Sequence, residues 1–177
     1  MTHPVQIPSP RKIEQSACVV THRLLAAPID KVWKTLLFYE EITTPPPLLL
    51  RWLLPIPLST GGAKFEVGGI VKCRYTGGYL LKRVTEIVEY RRYAFEIVEQ
   101  NLALHGLTIL GGEYRLQEIH EHRTRVVLST CYQSPHRPRW LCRRLEALIC
   151  HWFHRHILAA IENNLQNRDI SGTAFCK

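Results

Sequence analysis

A chain of 177 residues, 46% hydrophobic and 21% charged, has room for one domain that buries about 70% of its unfolded surface; this composition excludes a disordered, collagenous or low-complexity protein. Net charge is +8, of which residues 137–177 carry +4 (7 basic, 3 acidic), so the basic excess gathers at Arg137, Arg139, Arg143 and Arg144. Six cysteines with no CxxC spacing, behind a first segment (MTHPVQIPSPRK) with no apolar signal region, indicate a reduced, cytoplasmic setting and argue against a secreted disulfide scaffold.

Residues 1–14 hold three prolines and no periodic pattern, which predicts a loose arm; a single domain is expected over 15–167 and a tail over 168–177. Ser16 to Leu25 is rich in β-branched residues and reads as a strand. Pro28 then opens a helix, IDKVWKTLLFYE, with Val32, Leu36 and Tyr39 at helical spacing and Asp30 placed to suit the helix dipole. The stretch EITTPPPLLLRWLLPIPLSTGG fits a second short helix between polyproline-like flanks, serving as a plug for the core or as a lid from Pro45 to Leu58. It is too short and too broken by Arg51, Pro55 and Pro57 to span a bilayer.

A run of strands follows. Ile70 to Tyr75 alternates, Thr76-Gly77-Gly78 turns the chain, and Tyr79 to Glu89 returns. Tyr93 to Asn101, Thr108 to His120 (with a bend at Gly111-Gly112) and Arg125 to Gln133 continue an antiparallel meander. After SPHRP, the segment Arg139 to Gln166 contains no Gly or Pro and predicts one helix of about 28 residues, roughly 40 Å long. At 100° per residue, Leu141, Leu145, Leu148, Ile149, Trp152, Phe153, Ala159 and Ala160 share a broad arc expected to face the core. His156 and Asn163 fall near the centre of that arc and need polar partners there, while His151 and His154 point the other way.

The order of these elements, with Ala27-Pro28-Ile29-Asp30-Lys31-Val32-Trp33, Val84-Thr85-Glu86-Ile87-Val88-Glu89 before Arg91-Arg92, and the hairpin into Arg123-Thr124-Arg125-Val126, resembles the START-like (SRPBCC, helix-grip) superfamily over roughly residues 16–166. The likeness is closest to bacterial polyketide cyclase/dehydrase-like members. It implies an α+β fold in which an antiparallel sheet of about six to seven strands curls around the long C-terminal helix, leaving a mostly apolar cavity between them. Members bind lipids, sterols, quinones or polyketides, and a minority catalyse cyclisation, dehydration or hydrolysis in the cavity.

With that fold, strand alternation assigns Val71, Cys73, Tyr75, Phe95, Ile97, Tyr114, Leu116, Val126, Leu128, Thr130 and Tyr132 to the inner face. The expected ligand-binding set is Cys73, Tyr75, Phe95, Tyr114, Leu116, Leu128, Thr130, Trp152, His156 and Asn163. No catalytic residue is assigned; His156, whose imidazole titrates near neutral pH, is the one candidate. Three readings stay open: a carrier or sensor of a hydrophobic small molecule, a cofactor-free cyclase or dehydratase with His156 as acid/base, and a module whose basic helix start touches a membrane, with nucleic acid the less favoured surface. No cofactor is implied. His151, His154 and His156 do not converge on one side of a helix and supply no zinc set, and the Gly pairs fit no phosphate-loop spacing.

Overall fold

The computed structural model describes residues 16–37, 54–55 and 57–173, with side chains for 16–37, 54–55 and 58–166. β1 (Ser16–Leu25) leads into α1 (Ile29–Leu37). Then come β2 (Pro57–Gly62), β3 (Ile70–Tyr75), β4 (Gly78–Val88), β5 (Arg92–Asn101), β6 (Thr108–His120) and β7 (Arg123–Gln133), followed by α2 (Arg139–Thr173). The expected arm over 1–14 lies outside the described residues, as does the plug or lid with its short helix apart from Leu54, Pro55 and the strand that begins at Pro57.

The seven strands form one antiparallel sheet in the order β1-β7-β6-β5-β4-β3-β2. From β2 to β7 each strand pairs with its successor, as short turns dictate. The exception is β1, which pairs with β7 over ten residues, from Ser16 opposite Gln133 to Leu25 opposite Thr124. β2 was not expected, because PLSTGG carries no apolar alternation; it forms on backbone pairing with the edge of β3, from Pro57 opposite Tyr75 to Gly62 opposite Val71.

The β1–β7 register sets Cys18 directly across from Cys131, and the two sulfurs form a disulfide, whereas Cys73, Cys142 and Cys150 are in none. This corrects the expectation of uniformly reduced thiols. Spacing gave no hint of it, since the partners are 113 residues apart.

The inner face follows the two-residue period: Val71, Cys73, Leu80, Val84, Tyr114, Leu116, Val126, Leu128 and Tyr132 are all buried. They divide into two apolar clusters. One joins α1 (Val32, Trp33, Leu36) and β6/β7 (Tyr114, Leu116, Val126, Leu128) to Ile157, Leu158, Ile161 and Leu165 of α2. The other gathers Val71, Cys73, Leu80 and Val84 with Leu102 and Leu104 from the β5–β6 loop, and α2 contributes no residue to it. Ile87 and Tyr93 touch both. The loop is held by Gln100, whose Nε2 donates to the Leu107 carbonyl (2.8 Å) and whose Oε1 accepts from the Ile109 amide (2.9 Å). A Cβ on Gly112 would sit 3.1 Å from the Phe95 ring, so glycine at this position lets Phe95 lie across β6.

α2 starts after Pro138 and continues to Thr173, past the expected end at Gln166 and into the expected tail. Its buried side also differs from expectation. Glu146, His154, Ile157, Leu158, Ala160, Ile161 and Leu165 are buried, whereas Leu141 (51% exposed), Leu145 (58%), Leu148 (64%) and Trp152 (36%) look outward. Ile149, Phe153, Ala159 and His156 are half-buried, Asn163 is exposed, and His154 is 1% exposed on the side thought to face away. The reason is that α2 is apolar on two sides. Between them, the sheet chooses the side whose polar members find partners on β1 and β7, which residue periodicity alone does not register.

Candidate functional site

Glu146, Cys150 and His154 recur every four residues and therefore lie in one line along α2, against β1 and β7. His154 is clasped between two threonines: its Nδ1 is 2.9 Å from Thr21 Oγ1 and its Nε2 is 2.9 Å from Thr130 Oγ1. Thr21 Oγ1 is also 2.7 Å from His151 Nδ1, and Cys150 Sγ lies 3.5 Å from His154 Nε2. Burial first, and the neighbouring His151 second, push the His154 pKa down to about 4. Burial pushes the Cys150 thiol up to about 12. His154 is thus a neutral imidazole with both nitrogens engaged, and Cys150 a protonated thiol; this part of the seam holds the helix to the sheet.

One turn nearer the start of α2 the seam is incompletely paired. Glu146 Oε1 accepts from Ser134 Oγ (2.5 Å) and lies 2.9 Å from His136 Nδ1. Glu146 Oε2 and the hydroxyl of Tyr132 are both buried and, among the described residues, neither has a hydrogen-bond partner. Their residues are 8% and 5% exposed. Burial first, then the nearby charge of Glu146, raise the Tyr132 pKa to about 12, so the phenol stays protonated beside the carboxylate. The β5–β6 loop closes over this end, since a Cβ on Gly106 would lie 3.3 Å from Pro135 beside His136. The same loop feeds Leu102 and Leu104 into the second apolar cluster, and Ile109, which packs on that cluster, is the cross-strand partner of Tyr132.

A third polar group stands on the inner face of β4. Lys82 lies between Leu80 and Val84 in the alternation and is 9% exposed, with its ammonium 4.7 Å from the centroid of the Phe95 ring. Among the described residues no group of three His, Cys, Asp or Glu converges as a metal site.

The residues expected to bind a ligand are distributed unevenly. Cys73 is buried in the second cluster with Tyr75 partly buried against it; Tyr114, Leu116 and Leu128 are in the first, with Phe95 packed on it. Thr130 is engaged by His154. Of the helix residues in the set, Trp152 and Asn163 are exposed and His156 is half-buried with its Nε2 atom buried. Three buried polar residues went unnoticed. Glu146 and His154 were legible as members of an every-fourth-residue line with Cys150, and Lys82 as a charge in register with two apolar neighbours.

No protein-family model matches the sequence, and no curated protein matches it. Solved structures do. The Zhui aromatase/cyclase from Streptomyces sp. R1128 superposes with a TM-score of 0.61 at 18% identity, covering 86% of this chain and 95% of that one. A norcoclaurine synthase from Thalictrum flavum, solved with a transition-state analogue, gives 0.59 at 15% identity (87% and 96% covered). Ara h 8.0201 gives 0.57 at 14% identity (86% and 99% covered). With its seven-stranded antiparallel sheet, its β1–β7 pairing and its long C-terminal helix, the chain has the helix-grip fold of the START-like, or SRPBCC, proteins.

Proposed function

We propose that this chain binds a hydrophobic small molecule bearing a hydroxyl group, held between the inner face of the sheet and α2, as a carrier or sensor. The observation that carries the reading is the pair of buried, unpartnered polar atoms, Glu146 Oε2 and Tyr132 Oη, beside an apolar cluster that α2 does not cover. Leaving a buried polar atom unpaired costs about 1–3 kcal/mol. A single ligand hydroxyl relieves both, donating to the carboxylate and accepting from the phenol. A ligand with only carbonyl oxygens satisfies Tyr132 and leaves Glu146 bare, so within the lipid, quinone and polyketide-like compounds the hydroxylated ones are favoured. The similar structures support the reading in kind, since one is an aromatase/cyclase and another a synthase holding a transition-state analogue.

Native mass spectrometry before and after solvent extraction, followed by titration of the stripped protein with 2-naphthol and with naphthalene, tests this. Binding of 2-naphthol at least about tenfold tighter than naphthalene is expected, one charge-assisted hydrogen bond being worth about 1.5–3 kcal/mol. Tyr132→Phe should weaken 2-naphthol binding by about tenfold, leave naphthalene unchanged, and stabilise the empty protein by up to about 1 kcal/mol, because it deletes an unpaired hydroxyl. Equal affinities for the two probes, or no binding of either by a protein that also purifies empty, would overturn the reading.

A further inference from the structure

The first four turns of α2 leave an apolar line exposed: Trp140 (66% exposed), Leu141 (51%), Leu145 (58%), Leu148 (64%) and Trp152 (36%). The spacing 141, 145, 148, 152 keeps the last four on one side of the helix, opposite the Glu146–Cys150–His154 line that meets the sheet. Arg144 and Arg155, both exposed, border the line at the next helical positions, and Arg137 and Arg139 are exposed at the helix start. Single exposed leucines are ordinary; an ordered line with a tryptophan near each end and arginine along its margin is not.

We infer that this face docks the protein on an anionic lipid bilayer. The mixture of side chains selects the occupant. Tryptophan prefers the headgroup level of a bilayer, leucine the acyl boundary just below, and arginine the anionic headgroups, which is the order met in going from the line to its margin. A second copy of this chain is a poorer fit: the exposed parts of these five side chains amount to about one whole tryptophan and two whole leucines, short of the roughly 800 Å² per partner of a stable interface. A nucleic acid would meet leucines where phosphates need cations. The contact is peripheral, since among the described residues no helix is long and apolar enough to cross a membrane. Docking does not depend on what is bound inside, so the two proposals stand or fall separately.

Co-sedimentation of the full chain with vesicles tests it, using phosphatidylcholine alone and an equimolar mixture with phosphatidylglycerol. The protein is expected to pellet with the anionic vesicles, with a blue shift in tryptophan emission, and to be released by high salt. Leu145→Ser combined with Leu148→Ser should lower the partition coefficient by at least about tenfold and Arg144→Glu by about fivefold or more, with thermal melts unchanged because all three side chains are exposed. The inference is overturned if anionic vesicles leave the protein in the supernatant or if the leucine variant pellets like the parent. It is equally overturned if the parent is a dimer that the leucine variant makes monomeric, or if a DNA duplex binds the parent and the leucine variant alike while only Arg144→Glu fails.

Discussion

Acidifying the protein from about pH 7 to about pH 4 should cost it about 3 kcal/mol of stability through His154 alone. The unfolded imidazole titrates at 6.5 and the folded one at about 4, because the site between Thr21, Thr130 and Cys150, with His151 adjacent, rejects the charged form. A folded pKa below the unfolded value means that, inside this window, the unfolded state binds a proton that the native state does not. The stability is fully present above about pH 6.5, is lost as pH falls toward about 4, and levels off below; each unit contributes about 1.4 kcal/mol. Urea midpoints measured across this range should fall steeply for the parent and much less for His154→Gln, which keeps a hydrogen-bonding side chain but does not titrate. Identical slopes for the two proteins would place the acid sensitivity elsewhere.

The second large effect contrasts two leucines on one helix. Leu158 is fully buried among α1, β6 and β7, so Leu158→Ala is expected to destabilise by about 3 kcal/mol through lost burial and the cavity left behind. Leu148 is 64% exposed, and Leu148→Ala should change stability by no more than about 0.5 kcal/mol. Denaturant melts of the two variants decide between the orientation described here and the arc drawn from periodicity, which requires Leu148 to be the costlier loss. Comparable losses at both positions would contradict the structure.

That contrast also marks where the sequence was readable. The strands were, because a period of two in a half-buried sheet leaves little choice: Val71 and Cys73, Tyr114 and Leu116, Val126 and Leu128 all fell on the inner face as read. Fold class followed from the element order. The orientation of α2 was not readable, because Leu141, Leu145, Leu148 and Trp152 form as good an apolar line as Ile157, Leu158, Ile161 and Leu165, and what separates them is a set of hydrogen bonds to Thr21, Thr130, Ser134 and His136 across the fold. The polar residues of the helix were misplaced for the same reason: the arithmetic that pointed His154 away from the core did not anticipate that it is 1% exposed. Glu146 is held by Ser134 and His136, and Glu162 pairs with Arg23 of β1, partners on other elements that helical spacing does not reveal.

The bond between Cys18 and Cys131 joins the first strand to the last, so everything from β1 to β7 is enclosed in one covalent ring, and α2 hangs from it as a pendant outside. A nick in the β2–β3 turn, where Phe65 and Val67 stand 57% and 64% exposed, opens the ring without making two molecules. The clipped chain should run as one band on a denaturing gel and separate into two only when a reductant is added.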